Sequence, residues 1–300
     1  MPPPSANEPT TVTPSLLRSW PLPEANGGKE GRGRTLIIGG SRETPGAVLL
    51  AAEAALRSGA GKLQVATAAS VAAALAVALP EALVCSVAET STGALDAQDP
   101  RGLDHIHELA AAADCVLVGP GLADAEQSAQ LLRSVVEGLG TPVVVDALAL
   151  AAVTEDVTCL HHLDGQLVLT PNPGELAYTM HTEPGVVEAD PLGQARLLTG
   201  QAKAVVSLGG ETSWIVSPDG RTWCDPSGAA GLGVSGSGDV RAGIVAGLVA
   251  RGCGPEQAAV WAAHLHGRAG ERLASTIGRL GFLARELPPQ IPAVLAEIEQ

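Results

Sequence analysis

The chain alternates short runs of apolar residues with longer segments whose apolar residues recur at helical spacing. The run "RTLIIGG" predicts a strand ending in glycine, "PGAVLLAAEAALRSG" a helix with proline at its start and Gly59 at its end, and "KLQVAT" the next strand. Similar runs recur in "CVLVGPG", "PVVVDA" and "QLVLTPNPGE". Because these runs are continuously apolar rather than alternating, both faces of the sheet are expected to be covered. The pattern therefore predicts an α/β fold of three layers, with helices on both faces of a mainly parallel central sheet.

Six segments rich in glycine, proline and polar residues are predicted to follow strands. They are "GGSRETPGA" (39–47), "GPGL" (119–122), "DALAL" (146–150), "TPNPGE" (170–175), "SLGGET" (207–212) and "GVSGSGDVRAG" (233–243). Glycine after a strand usually makes only a turn, but parallel strands bring their carboxyl ends to one edge of the sheet, where ligands bind. Six such segments in order therefore predict a ligand site at that edge. The sequence has neither a Walker A loop nor a G-x-G-x-x-G after the first strand, so any nucleotide site is of another kind.

Composition narrows the classes of function. With 300 residues, 46% of them hydrophobic, the chain can form one large α/β domain or two small ones. A formal net charge of −14 argues against general binding of nucleic acid or anionic membranes, because binding to their phosphates needs a basic face. The five cysteines form no C-x-x-C pair, which favours reduced thiols in a cytoplasmic protein.

The N-terminal residues lack the basic start and apolar run of a secretory signal. They are rich in proline and threonine, so we expect residues 1–30 to be a flexible leader and residues 31–300 to form the folded domain. The apolar stretch 65–79 is shorter than the roughly 20 residues that span a bilayer. The sequence therefore predicts no membrane segment.

The segment "GVSGSGDVRAG" leads into a predicted helix that ends at Gly252. Backbone N–H groups of Ser237, Gly238 and Asp239 are expected to point out of the helix N-terminus, where small residues and the helix dipole favour a bound phosphate. Asp239 then has two interpretations. It caps the helix, or it takes a proton from a hydroxyl that attacks a bound phosphoryl group, as phosphoryl transfer requires.

These motifs together carry a family resemblance. "GSGD" at the start of a late helix resembles the G-x-G-D signature of the ribokinase-like superfamily. In their order, "GGSRETPGA", "GPGL", "TPNPGE" and "GLGVSGSGDVRAGIVAGLVARG" more closely resemble the ADP-dependent NAD(P)H-hydrate dehydratases, over residues 34–274. The resemblance implies a ribokinase-like fold. It also leads us to expect a stand-alone dehydratase domain, without the epimerase domain to which this family is often fused.

The resemblance implies repair of damaged nicotinamide cofactor. ADP or ATP phosphorylates the hydroxyl of the hydrated nicotinamide ring (S epimer), and phosphate then leaves to restore NADH or NADPH. Asp239 is implied as the base. Glu175 in "NPGE" has two interpretations of equal weight: it positions Mg²⁺ through water, as acidic residues do in nucleotide sites, or it is a first-turn helix glutamate. The residues implied for the hydrated cofactor are Ala47, Gly121, Asn172 and Asp239, and those for the nucleotide are Leu208, Gly209, Gly210, Glu211, Thr212, Gly236, Ser237 and Gly238.

Three positions depart from the family pattern. Leu208 stands where the family usually has lysine, Asn172 where it has histidine, and Leu148 where it has a second acidic residue. A cation expected near the nucleotide is therefore absent at position 208. Asn172 can still form hydrogen bonds but cannot carry positive charge.

The histidines and tryptophans of the C-terminal half favour structural roles. His264 and His266 lie on different faces of a predicted helix, so ordinary packing is favoured over paired metal ligation, and Trp214 and Trp223 flank a predicted hairpin turn. The resemblance further implies a homotetramer that works with a separately encoded epimerase. Two alternatives remain: a small-molecule kinase of the same superfamily, such as one acting on a thiazole alcohol, and a nucleotide-binding regulatory module without catalysis.

Overall fold

The chain folds around one ten-stranded sheet, seen in a computed structural model that describes residues 8–24 and 27–299. The strands are β1 (Thr10–Thr11), β2 (Arg34–Ile38), β3 (Lys62–Ala68), β4 (Ala82–Val87), β5 (Cys115–Val118), β6 (Val143–Val145), β7 (Leu167–Leu169), β8 (Val205–Leu208), β9 (Ser213–Val216) and β10 (Thr222–Asp225). Their order across the sheet is β1-β10-β9-β8-β7-β6-β5-β2-β3-β4. Every neighbouring pair is parallel except the two that include β9, so the predicted mainly parallel sheet is confirmed.

Helices cover both faces of the sheet. They are α1 (Pro14–Ser19), α2 (Gly28–Gly31), α3 (Pro45–Arg57), α4 (Ala69–Ala78), α5 (Pro100–Ala111), α6 (Ala125–Val136), α7 (Ala151–Glu155), α8 (Pro173–Thr179), α9 (Pro184–Ala189), α10 (Pro191–Ala202), α11 (Ser237–Ala250), α12 (Pro255–Thr276) and α13 (Ile291–Glu299). One apolar core lies between the sheet and α1, α3, α11, α12 and α13, and a second between the other face and α5 to α10. The three-layer α/β prediction is therefore confirmed.

The continuous apolar runs of the sequence explain this arrangement. Residues 115–118 of β5 and 143–145 of β6 are fully buried, because each strand lies in the middle of the sheet with helices on both sides. Residues alternate between the two cores: Leu117 and Val144 face the first, whereas Val116 and Val143 face the second. The parallel strands also end at one edge, where the predicted segments follow them.

The flexible leader expected over residues 1–30 is wrong for residues 8–24. Thr10 pairs with Trp223 of β10, and Leu17 is fully buried in the first core. The Trp20 ring stacks on Trp223 with 5.7 Å between centroids, and the Trp20 carbonyl accepts a hydrogen bond from Trp261 Nε1 at 3.0 Å. These contacts outweigh a composition typical of loops. The rest of the expectation falls partly on residues 1–7 and 25–26, which lie outside the described part of the chain.

We expect Leu17→Ala to lower the free energy of unfolding by about 2–5 kcal/mol, because it leaves a cavity in a packed core. Leu197→Ala is the matched control, since Leu197 is 51% exposed on α10, and it should change that free energy by less than about 0.5 kcal/mol. Urea denaturation of both variants measures the difference. Equal, small effects would show that α1 does not contribute to the core in solution.

Candidate active site

The segments predicted to follow the strands come together at one edge of the sheet. The amide of Gly40 donates a hydrogen bond to the Pro120 carbonyl at 2.8 Å, and that of Gly209 donates to the Pro171 carbonyl at 2.9 Å. Between these pairs, Gly119 lies so close to the backbone of Asp146 that a Cβ on the glycine would be 1.9 Å from the Asp146 carbonyl oxygen. Backbone contacts therefore link neighbouring segments along this edge.

Ala47 and Gly121 lie side by side at one end of the site. Gly121 has a φ of 70°, and a Cβ there would lie 2.3 Å from the Thr44 carbonyl oxygen and 3.0 Å from the Ala47 Cβ. The Thr44 hydroxyl donates to the Gly121 carbonyl at 2.7 Å, which fixes the start of α3 against this loop. One turn along α3, the side chain of Leu50 packs on Gly236, since a Cβ on that glycine would be 2.5 Å from Leu50 Cδ1. The first turns of α3 thus connect the Ala47–Gly121 pair to the loop before α11.

The N-terminus of α11 has the predicted form with one correction. Gly236, with a φ of 88°, is the N-cap and has no side chain to bond the helix amides. The Ser237 N–H donates to the Val234 carbonyl at 3.2 Å, so the prediction that this amide is free for a ligand is wrong. The Gly238 N–H has no acceptor among the described residues, and Gly238 is exposed. This end of α11 therefore offers the Gly238 amide to an anion.

Asp239 does not cap the helix, because it is the third helical residue and Gly236 occupies the cap position. The side chain is partly buried. Burial, followed by the nearby negative charge of Glu175, raises the pKa of Asp239 to about 6, against the opposing effect of a hydrogen bond from its own backbone N–H. A carboxylate with a pKa near 6 is ionised at neutral pH yet more basic than an ordinary aspartate, which suits a general base.

Asn172 and Glu175 form a capping box at the start of α8. Asn172 Oδ1 accepts the Glu175 N–H and Glu175 Oε2 accepts the Asn172 N–H, both at 2.9 Å. The first-turn interpretation of Glu175 is therefore confirmed. It leaves Oε1 of Glu175 and the Asn172 side-chain NH₂ without hydrogen bonds to the described residues.

Asp146 is a member of this site that sequence reasoning did not single out. Its carboxylate is only 4% exposed and accepts a hydrogen bond from the Thr170 hydroxyl at 2.6 Å. Burial, followed by the negative charges of Glu175 and Asp239, raises the pKa of Asp146 to about 8, against the opposing effects of Thr170 and Arg241. Its position directly after β6 is the feature of the sequence that points to this role, because the segment "DALAL" is predicted to lie at the ligand-binding edge.

Arg241 is the second residue that sequence reasoning missed. It lies on α11 among apolar residues and is 5% exposed, and its Nη2 donates to the carbonyls of Thr170 at 2.9 Å and Pro171 at 3.1 Å. Burial lowers its pKa, while the negative charges of Asp146 and Glu175 raise it. The cation that position 208 lacks is therefore present in the site, on a different element.

The side chain of Leu208 is buried in the apolar core. It is 1% exposed at the end of β8, belongs to the second apolar core, and pairs with Trp214 of β9. A contact of Leu208 with the nucleotide therefore stays a prediction and would have to be made by its backbone, because its side chain is enclosed by other core residues. The residues that follow it, 209–212, are half-buried or exposed.

The two histidines of α12 pack separately, as expected from their spacing. His264 Nδ1 lies 3.3 Å from Asp225 Oδ2, whereas His266 Nε2 shares a hydrogen bond with the Ser237 hydroxyl at 2.9 Å. Burial, with a smaller contribution from the charge of Arg241, lowers the pKa of His266 to about 3, so this ring is neutral beside the start of α11. The hairpin expected around Trp214 and Trp223 is confirmed by the antiparallel pair β9–β10.

Within residues 8–24 and 27–299, no group of three or more His, Cys, Asp and Glu side chains could hold a metal ion directly. The five cysteines have no disulfide partner, in agreement with the sequence. None of the helices that the structure describes is long and apolar enough to cross a membrane.

Known proteins similar to this chain include NAD(P)H-hydrate dehydratases. The family model described as NAD(P)H-hydrate dehydratase matches residues 35–293. An ADP-dependent (S)-NAD(P)H-hydrate dehydratase of Xanthomonas campestris is 44% identical over 95% of this chain and 96% of its own. A bifunctional NAD(P)H-hydrate repair enzyme of Moorella thermoacetica is 38% identical over 96% of this chain, which spans 54% of that enzyme. The crystal structure of the Bacillus subtilis ADP/ATP-dependent NAD(P)H-hydrate dehydratase, co-crystallised with ATP/Mg²⁺, superposes with a TM-score of 0.82 and 27% identity, covering 98% of this chain and 100% of its own.

The buried carboxyl of Asp146 gives a prediction for stability against pH. Its pKa is raised from 3.8 to about 8 on folding, so between these values the folded state holds a proton that the unfolded state has released, and stability falls as pH rises. Asp146→Asn removes this fall in stability with pH, because asparagine does not titrate, and it keeps an acceptor for the Thr170 hydroxyl. Its stability relative to wild type should therefore increase from pH 4 to pH 8, by up to about 1.4 kcal/mol per pH unit.

Chemical denaturation at several pH values measures this difference. Asp104→Asn, on the exposed side of α5, is the control for loss of a carboxylate at the surface and should stay within about 0.5 kcal/mol of wild type. If Asp146→Asn runs parallel to wild type over the whole range, the folded pKa of Asp146 is not raised.

Proposed function

The chain belongs to the NAD(P)H-hydrate dehydratase family, and we propose that Asp239 is the base in its ADP-dependent dehydration of the S epimer of NAD(P)H hydrate. The enzyme is a hydro-lyase that returns the hydrated cofactor to NADH or NADPH. The observation that supports this role for Asp239 is its place in the first turn of α11, beside the unpaired Gly238 amide and with a pKa raised to about 6. A base and an anion-binding amide thus lie next to each other.

We propose that the reaction proceeds in two steps. Asp239 takes the proton of the ring hydroxyl, whose oxygen attacks the terminal phosphorus of ADP and releases AMP. The carbon–oxygen bond then breaks, its electron pair leaves with phosphate, and the ring nitrogen lone pair stabilises the positive charge that develops. Loss of a proton from the adjacent carbon restores the dihydronicotinamide ring. The first step converts a poor leaving group, hydroxide, into a good one.

The nucleotide is proposed to lie between two glycine-rich segments. Gly209, Gly210, Glu211 and Thr212 would hold it at the end of β8, and the 236–238 loop would hold its phosphates at the N-terminus of α11. In a protein with a net charge of −14, a phosphate benefits from backbone amides and the helix dipole, because both bind anions without a surface lysine. The neutral His266 fixes the Ser237 hydroxyl in this loop.

Ala47, Gly121 and Asn172 are proposed to contact the hydrated cofactor. Small residues at the first two positions leave room for a ligand beside the start of α3. The side-chain NH₂ of Asn172 is a donor that remains after the capping box has used its Oδ1, so it can bind an oxygen of the cofactor.

Magnesium is proposed to bind mainly through the nucleotide phosphates. The residues present fit this arrangement, because Glu175 keeps Oε1 available to bond a water of the ion while Oε2 caps α8. A hard cation that retains several waters is typical of nucleotide sites, and when bound it neutralises part of the phosphate charge. The Bacillus subtilis relative was crystallised with ATP/Mg²⁺, which supports ATP as a second donor.

The cellular context is also a proposal. Free cysteines favour a cytoplasmic enzyme. The existence of bifunctional relatives supports a partnership with a separately encoded epimerase. A small-molecule kinase would retain Asp239 but stop at the phosphate ester, and a regulatory module would need no base. An assay with hydrated NADH, ADP and Mg²⁺, followed by the absorbance of the reduced nicotinamide, separates the dehydratase from these two alternatives. Only the dehydratase restores this absorbance.

We expect Asp239→Asn to lower kcat by at least 10²-fold, because asparagine keeps the shape but cannot accept the hydroxyl proton. Nucleotide binding, measured by calorimetry, should be nearly unchanged. In wild type, kcat/KM should rise with pH to a plateau above about pH 6, since the base must be ionised to act. Asp219→Asn, in the exposed turn between β9 and β10, is the control and should keep full activity. More than a tenth of wild-type activity in Asp239→Asn would remove this residue from the mechanism.

A tetramer is proposed for the assembled enzyme, with a mass four times the 30.2 kDa of one chain. Symmetric contacts between identical surfaces are the usual route to such assemblies. Light scattering at micromolar concentration tests this expectation, and a mass near that of the single chain would contradict it.

A further inference from the structure

Arg241 connects three segments of the site that are distant in sequence. Its Cα lies on α11, two residues after Asp239. Its Nη2 donates to the carbonyls of Thr170 and Pro171, directly before Asn172, at 2.9 and 3.1 Å. Its Nη1 lies against Gly209, because a Cβ on that glycine would be 2.1 Å from this nitrogen.

Backbone hydrogen bonding also connects two of these three segments. The Pro171 carbonyl accepts both the Arg241 guanidinium and the Gly209 N–H, the latter at 2.9 Å. The segment after β7 and the segment after β8 are therefore held together at one oxygen, and the helix that carries Asp239 supplies one of its two donors. A planar guanidinium can make such contacts at several points in fixed directions, which a flexible ammonium group cannot.

The guanidinium also places a positive charge close to the acidic side chains of the site. Asp146 and Glu175 are the acidic groups whose charges act on it, and they come from the segments after β6 and β7. Its Nε is buried without a partner in the described part of the chain. Burying a cation with an unsatisfied N–H is costly, so its presence in an apolar helix face is a sign of a specific requirement at this position.

We propose that Arg241 is a positioning residue that sets the Gly209–Thr212 segment, and the nucleotide it holds, at the correct distance from Asp239. This inference rests on the proposed nucleotide site and deepens it. Arg241 does not touch the reacting atoms. It acts through its contacts with the Pro171 carbonyl and Gly209. The rigid guanidinium thereby fixes the position of the phosphoryl donor relative to the base.

The test uses steady-state kinetics with hydrated NADH, ADP and Mg²⁺, together with calorimetric titration of ADP and thermal melting. Arg241→Met removes the guanidinium, and with it the charge and both carbonyl contacts, but keeps an unbranched apolar stem. It should raise KM and Kd for ADP at least about tenfold, with a smaller effect on KM for hydrated NADH. Arg241→Lys keeps the charge but lacks the planar set of N–H donors of the guanidinium, and should recover only part of the ADP affinity.

Arg251→Met is the matched control, because Arg251 also donates to two backbone carbonyls, those of Ser58 and Pro23, both at 3.2 Å, just after the opposite end of α11. It should lower the melting temperature and leave KM for ADP within about twofold of wild type. If Arg241→Met behaves in the same way, the role of Arg241 is structural and the proposal is wrong.

A second variant covers the case in which Arg241→Met does not fold. Gly209→Ala retains the arginine but forces its guanidinium away from the segment, and should weaken ADP binding to a similar extent. Unchanged ADP affinity in Gly209→Ala would overturn the proposal. If wild type binds ADP but does not convert hydrated NADH, the proposed function fails while the calorimetric comparison still tests Arg241.

Discussion

The position of the proposed base depends on how closely α11 approaches α3. A Cβ on Gly243 would lie 2.2 Å from the Ala51 carbonyl oxygen, and one on Gly247 would lie 2.5 Å from the Ala55 carbonyl oxygen. Two glycines one turn apart therefore let the backbones of the helices touch. Because of this contact, the first turn of α11 lies beside the first turns of α3, and Gly236 packs on Leu50. A bulkier residue at either glycine would move Asp239 relative to Ala47 and Gly121.

Electrostatics supply a second constraint. Asp146, Glu175 and Asp239 come from three different segments. The charges of Glu175 and Asp239 raise the pKa of Asp146, and that of Glu175 raises the pKa of Asp239. Such a cluster is unfavourable unless some members stay protonated or a cation lies nearby. The structure uses both solutions, since burial raises the pKa of Asp146 to about 8 and Arg241 lies among the carboxylates. Asp239, less buried than Asp146, is left as the carboxylate that is ionised at neutral pH and open to the site.

The sequence predicted features that depend on local pattern and missed those that depend on tertiary contacts. Continuous apolar runs identified the parallel strands, and glycines before "DVRAG" identified the N-terminus of α11. Arg241 was not recognised, because a single arginine in an apolar helix looks the same in sequence whether it is exposed or buried. Leu208 was assigned to the nucleotide by resemblance, but its apolar side chain found a place in the core. Likewise, residues 8–24 look like a loop by composition, yet Leu17 and Trp20 find partners in the core and on β10.

An acidic protein that binds a diphosphate must place positive potential where the phosphoryl group sits without attracting the carboxylate that serves as base. A helix N-terminus meets this requirement, because its amides act over a short range and are fixed in direction. The Asp239 N–H bonds its own carboxylate and lowers its pKa, while the Gly238 N–H, without an acceptor in the described part of the chain, is the proposed donor to the phosphate. The arginine is kept beneath the loop at Gly209, where its charge acts on Asp146 and Glu175 rather than forming a salt bridge with Asp239. Asp239 therefore retains a raised pKa and remains basic beside the proposed anion site, which is the condition for removing a proton from a hydroxyl of the hydrated nicotinamide ring at neutral pH.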